Sequence, residues 1–117
     1  MELKGGEVVL APFRYAETED KKLRPALVWE VTPVAVLLVY ISSQHVCHDG
    51  GYQTEVGLDH HEAKAIGLIK SSRIDFGKTD VCLPGDVRKL LGHIQKLPRR
   101  KLWECKEAAK KAGLLRF

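Results

Sequence analysis

The dipeptide Arg24-Pro25, inside Lys21–Leu27 (KKLRPAL), carries the most chemistry for its length. Proline disfavours the helical conformation at the residue before it, so Arg24 is held extended where a loop runs into a strand. A guanidinium at such a rim is a planar, permanently charged fork suited to the oxygens of a phosphate. Flanked by Lys21 and Lys22, it also suits an ordinary solvated surface. Ser42 closes the apolar run Val34–Ile41. A hydroxyl at a strand terminus hydrogen-bonds a ligand oxygen or caps the following loop, and Ser43 and Gln44 offer the same chemistry beside it.

Other chemistries fail on spacing. His45 and His48 flank Cys47, and His60-His61 follow, but no CxxC or HExxH pair is present. A structural metal is therefore not expected. Phe76-Gly77-Lys78-Thr79 looks like the end of a phosphate-binding loop, yet the glycine required five residues before Gly77 is Ser72. No GxSxG occurs, and nothing supplies Cys47 with the third member of a thiol nucleophile's catalytic group.

These residues must be positioned by a chain of 117 residues, 44% hydrophobic and 29% charged, the balance of one ordinary folded domain. The cysteines number three, no cationic-then-apolar leader opens the chain, and the longest apolar run has eight residues, where a bilayer span needs about 20. The expectation is a cytoplasmic, thiol-reduced, non-membrane protein. Glu7–Phe13 reads as a strand ending at or near Pro12. Residues 14–23 read as an exposed loop. Pro25–Val31 and Val34–Ser42 read as an antiparallel pair joined by a tight turn at Thr32-Pro33. The almost unbroken apolar content of the second run points to a strand covered on both faces, or to one face used by a partner.

Residues 43–51 read as a loop, Tyr52–Leu58 as a short strand and Asp59–Lys64 as one helical turn. Ile66–Ile69, Arg73–Phe76 and Thr79–Leu83 are further strand candidates. Asp86 looks like an N-cap, with Val87, Leu90, Leu91 and Ile94 on one helical face before Pro98. A second helix is expected from Pro98 to just before Gly113. Short strands followed by terminal helices point to a mainly β (α+β) fold, a small twisted barrel or half-barrel, and not to a parallel α/β sheet.

The charge is lopsided. Residues 86–117 carry ten basic and three acidic side chains, while residues 1–85 carry nine and twelve. Such a cluster attracts phosphate polymers through counterion release, and equally forms the solvated face of amphipathic helices.

In sequence order, five segments resemble the MazF/PemK family of toxins from type II toxin–antitoxin pairs. These are Gly6–Phe13 (GEVVLAPF), Arg24–Val28 (RPALV), Ile41–Gln44 (ISSQ), Gly67–Ser72 (GLIKSS) and the close around Leu90-Leu91-Gly92. The resemblance implies an SH3-like β-barrel with added C-terminal helices, assembled as a homodimer and blocked by a cognate antitoxin peptide. It implies metal-independent, cofactor-free, sequence-specific cleavage of single-stranded RNA, leaving a cyclic phosphate and a 5′ hydroxyl. In that reading Arg24 and Ser42 are catalytic: Arg24 grips the phosphate and protonates the leaving oxygen, and Ser42, where the family usually has threonine, donates to the phosphate. The implied RNA contacts are Phe13, Arg14, Tyr15, Lys22, Gln44, Ser72 and Lys78, with Lys78-Thr79 standing in for the family's arginine-threonine. Two rival readings stay open: a non-catalytic barrel of this fold that binds a protein partner, and a single-strand nucleic-acid-binding module without chemistry.

Overall fold

The computed structural model describes residues 2–15, 20–43 and 53–114. Within them, β-branched and apolar residues form six antiparallel strands: β1 (Glu7–Phe13), β2 (Lys22–Val31), β3 (Val36–Ser42), β4 (Glu55–Leu58), β5 (Ser72–Cys82) and β6 (Lys89–His93). They pair in the order β4-β5-β3-β2-β1-β6, a mainly β half-barrel. The prolines sit where a missing N–H is tolerated. β1 pairs with β6 through Leu10 and no further, so Pro12 lies beyond that ladder. β2 pairs with β3 from Ala26 onward, so Pro25 lies beyond that one.

The turn between β2 and β3 is tight, as expected. The Thr32 N–H donates to the Ala35 carbonyl at 2.9 Å, and the Ala35 N–H donates to Thr32 Oγ1 at 3.0 Å. Arg73–Phe76 and Thr79–Cys82 belong to one strand, β5, and not to two. Tyr40 pairs with Asp75 and Val39 with Thr79, so Phe76, Gly77 and Lys78 bulge out between them.

Alternation sends the residues of the central strands into two cores. Leu27, Val39, Ile41, Val56 and Ile74 face one side, under α1 (His60–Ala65) and α2 (Arg99–Lys111), which contribute Ala63, Cys105, Ala108 and Ala109. Val9, Ala11, Phe13, Ala26, Val28 and Leu38 form the other. Both faces of β3 are buried, which accounts for its nearly continuous apolar sequence. α1 opens with a capping box: the Glu62 N–H donates to Asp59 Oδ1 at 2.8 Å and the Asp59 N–H to Glu62 Oε1 at 2.9 Å. α2 follows Pro98 and ends before Gly113, whose φ of +80° suits the C-terminal position. Among the described residues, no helix is long and apolar enough to cross a membrane.

The loop expected at 14–23 ends sooner, since Lys22 and Leu23 already pair in β2 with Phe13 and Pro12. Two further expectations are corrected. Ile66–Ile69 is the turn leaving α1 and not a strand. The helix expected from Asp86 is a 3-10 turn at Pro84–Asp86 followed by β6, so one α-helix, not two, follows Pro84 among the described residues. The helical spacing of Val87, Leu90, Leu91 and Ile94 yields to pairing with β1, reinforced where the Arg88 N–H donates to the Leu10 carbonyl at 2.8 Å. The apolar residues divide accordingly: Val87 belongs to the second core, Ile94 to the first, and Leu90 is 46% exposed.

Gly67 and Gly92 explain why this segment is a strand. Gly67 has φ +89° and sits against the Leu91 backbone, while Gly92 sits against the Ile66 carbonyl. A methyl group at either position would run into the opposing backbone, so the turn after α1 docks on β6 through these two glycines. Gly92→Ala is expected to cost about 2–3 kcal/mol through overpacking. Gly85→Ala, into open space, should stay within about 0.5 kcal/mol. Urea unfolding midpoints of the two variants check the contrast.

Candidate active site

Arg24 and Ser42 reach one place because of the β2–β3 register. The ladder pairs Ala26 with Tyr40 and Val28 with Leu38. Continued two residues past Ala26, the same register sets Arg24 across from Ser42, on the face shared with Tyr40. On the next strand Ser42 pairs with Arg73, whose Nη1 bonds Glu55 Oε2 at 2.8 Å. Arg24 and Ser42 both line a cleft of about 240 Å³ with Leu23, Pro25, Tyr40, Leu68, Lys70 and Ser72. Ser72 Oγ donates to the Lys70 carbonyl at 2.7 Å, fixing the turn that forms this wall. The cleft opens at the end of the strands, where side chains of both sheet faces meet.

The Arg24 Nη1 donates to the Tyr40 hydroxyl at 3.4 Å, and its guanidinium carbon lies 5.8 Å from the centre of the Tyr40 ring. Tyr40 in turn joins an aromatic column. Its ring is 5.3 Å from Phe13 and 4.5 Å from Tyr15, and the ammonium of Lys78, carried out by the β5 bulge, stands 5.4 Å from the Tyr15 ring. Phe13, Tyr15 and Lys78 are thus gathered around Tyr40 and its ring partner, though none of the three lines the cleft. Lys22 is exposed and pairs with Phe13 across β1 and β2. Arg14 is exposed, and its backbone N–H serves as an anchor. Gln44, with His45, Cys47 and His48, lies outside the described residues.

Tyr40 and Lys70 were not singled out from the sequence. Tyr40 had a usable signal: it stands two residues before Ser42 in a strand and so shares its face. Lys70 carries no such signal, being one exposed lysine in a turn.

The loop after β1 is pinned by Asp80 on β5. The N–H groups of Arg14 and Val81 donate to its carboxylate at 2.8 and 2.9 Å, and Lys21 Nζ lies 3.3 Å away while also donating to the Val81 carbonyl at 2.6 Å. Lys21 is therefore engaged in holding the loop, which sets Tyr15 over Tyr40. Burial pushes the Asp80 carboxyl up, but the two N–H groups and the Lys21 ammonium outweigh it and hold the group below its ordinary value.

Thiol chemistry finds no footing in the two described cysteines. Cys82 and Cys105 are buried. Burial, reinforced by the charge of Glu104, pushes the Cys105 thiol up to about 12, and burial also raises Cys82. Among the described residues, no group of three or more His, Cys, Asp or Glu side chains is arranged to hold a metal ion.

No family model matches this chain, and no curated protein matches by sequence. Solved structures do match over almost its whole length. A mycobacterial endoribonuclease in complex with its cognate antitoxin superposes with a TM-score of 0.67 at 12% identity, covering 99% of both chains. The Mycobacterium tuberculosis toxin MazF-mt6 gives a TM-score of 0.67 at 20% identity, covering 95% of this chain and 99% of the toxin. The fold is that of the MazF toxins. At these identities the likeness speaks for the MazF fold, and the chemistry has to be argued from the cleft.

Asp80 gives a prediction with a definite sign. Because its folded-state value lies below the ordinary 3.8, its stabilisation is in full force above that pH and is lost as pH falls through the folded-state value. Asp80→Asn is expected to cost about 1 kcal/mol at pH 7, since the group is partly exposed. The gap between variant and wild type should close as the pH is lowered below the ordinary carboxylate range. Denaturant unfolding of both proteins across pH 2.5–7 checks this.

Proposed function

We propose that this chain is an endoribonuclease of the toxin type, cutting single-stranded RNA by attack of the substrate's own 2′ hydroxyl. The observation that carries the reading is the shared cleft of Arg24 and Ser42. The MazF fold, found in proteins described as an endoribonuclease and a toxin, supports it.

RNA brings its own nucleophile, so the protein needs neither an activated serine nor a metal-bound water. It must align the 2′ oxygen with phosphorus and the 5′ oxygen, and stabilise charge as it grows on the phosphate. The 2′ oxygen–phosphorus bond forms while the phosphorus–5′ oxygen bond breaks, leaving a cyclic phosphate and a 5′ hydroxyl. Arg24 supplies the planar cation for the non-bridging oxygens, and Ser42 donates a hydrogen bond to the same phosphate. The 2′ hydroxyl loses its proton to a solvent water and the 5′ oxygen gains one. A guanidinium is too weakly basic to take the first, and in this reading it donates to the second and regains its proton from solvent.

Exposed Lys22 and Lys78, with Arg14, suit the flanking phosphates, and Tyr15, 45% exposed, suits contact with an unpaired base. Ser72 lines the same cleft and in this reading contacts the substrate. In this reading the chain works as a homodimer, and a cognate antitoxin segment silences it by occupying the cleft.

The test is incubation of purified protein with a mixed-sequence RNA in EDTA. Wild type is expected to leave cyclic-phosphate and 5′-hydroxyl ends. Arg24→Ala should slow cleavage about 10²–10³-fold and Ser42→Ala about tenfold, with unfolding midpoints near wild type. RNA left intact but retained on a filter would replace the proposal with non-cleaving RNA binding. RNA neither cut nor retained would replace it with a protein-interaction role.

A further inference from the structure

We propose that Tyr40 is the positioning residue for the Arg24 guanidinium. The inference deepens the nuclease reading and rests on it for its kinetic consequences. It stands on three features of the sheet. First, Tyr40 makes both kinds of contact open to a phenol: its oxygen accepts from Arg24 Nη1 at 3.4 Å, and its ring lies 5.8 Å from the guanidinium carbon. Second, the ring has a floor. Ala26 lies directly opposite Tyr40, and Ala11 lies opposite Arg24 on the strand beyond. Two methyl side chains leave a hollow on that face, and Tyr40 reaches across it to stack on Phe13 at 5.3 Å. Third, the ring is clamped from above by Tyr15 at 4.5 Å, itself covered by Lys78.

An arginine side chain has four rotatable bonds, and a half-buried guanidinium free to sample them would meet the phosphate correctly only part of the time. A ring fixed on two sides, with its hydroxyl at the guanidinium, removes much of that freedom before substrate arrives. The proline that fixes the Arg24 backbone and the tyrosine that restrains its tip thus act at opposite ends of one side chain. Tyr40 itself need not touch the reacting atoms. Its contribution is made through Arg24 and belongs to the transition state, so it should be seen in kcat and barely in KM.

The experiment compares Tyr40→Phe and Tyr40→Leu, each also in the Arg24→Ala background. Tyr40→Phe keeps the stack and is expected to lower kcat about threefold to tenfold. Tyr40→Leu should lower it about 30-fold to 100-fold, with KM within about twofold in both. In the Arg24→Ala background neither change should slow cleavage further, because the side chain being positioned is gone. In parallel, NMR of the Arg24 guanidinium should show slow rotation in wild type, faster in Tyr40→Phe and fastest in Tyr40→Leu. Equal losses with and without Arg24, or an effect confined to KM, would overturn the proposal, as would guanidinium rotation unchanged by both variants. Should Tyr40→Leu fail to fold, Tyr40→Phe carries both readouts. Should wild type cut no RNA, the nuclease reading fails and the NMR comparison alone judges whether Tyr40 holds Arg24.

Discussion

The arrangement of the cleft depends on one irregularity in the β2–β3 ladder. Counted from the turn, Val31 pairs with Val36 and Glu30 with Leu37, and that register would bring Arg24 opposite Ser43. Side chains alternate with a period of two, so Ser42 would then point to the other face of the sheet. Between Glu30 and Val28 the register shifts by one, with Trp29 as the extra residue. Past this bulge Val28 pairs with Leu38 and Ala26 with Tyr40, and Arg24 falls opposite Ser42. The bulge is tied down by its own side chain. Trp29 Nε1 donates to the Leu114 carbonyl beyond α2 at 3.2 Å, and its ring meets Phe76 edge-on at 5.8 Å. The residue beyond the end of α2 thus anchors the tryptophan at which the β2–β3 register shifts.

The second bulge does complementary work on the other side of β3. Had β5 kept its register with β3 past Thr79, Lys78 would have taken the place opposite Tyr40. The shift gives that place to Asp75 and pushes Phe76, Gly77 and Lys78 out of the ladder. Asp75 Oδ1 accepts the Gly77 N–H at 2.9 Å, which closes the bulge, and the Phe76 N–H donates to the Thr54 carbonyl at 2.8 Å. Phe76 remains buried in the core beneath α2, while Lys78 swings to Tyr15. One irregular turn of three residues thus serves both the hydrophobic core and the cationic rim.

Much of this was legible in the residues. Strands β1, β2 and β3 announce themselves by β-branched runs with prolines at their margins, and α2 by Pro98 and Gly113. Arg24 stood out through Pro25, and Ser42 by closing an apolar run. The bulges were not legible, because a one-residue shift depends on tertiary anchors such as Trp29 on Leu114 and leaves no local mark. The segment from Asp86 misled for a similar reason. Its apolar spacing satisfies a helix, but Gly92 has to approach the Ile66 backbone, and that demand arises 26 residues earlier in the chain. Tyr40 was hidden by its setting: in an almost unbroken apolar run, a tyrosine reads as one more core residue until Ala26 opposite it and Ala11 opposite Arg24 are known.

Charge counting would have pointed elsewhere altogether. The basic excess lies in residues 86–117, yet no described residue of that segment lines the Arg24 cleft. α2 packs Cys105, Ala108 and Ala109 into the first core, and Lys101 on it is occupied, donating to the Gly57 carbonyl at 2.8 Å with Glu62 and Glu104 beside it. The cations that line the cleft, Arg24 and Lys70, come from stretches that are acidic on balance. Three carboxylates of those stretches are committed to local partners: Asp80 to the loop backbone and Lys21, Glu55 to Arg73, and Glu62 to the cap of α1. Carboxylates tied up in this way offer little competition to a phosphate. What a polyanion meets at the cleft is set by which charges are already paired, a property of the folded register that no sum over the sequence contains.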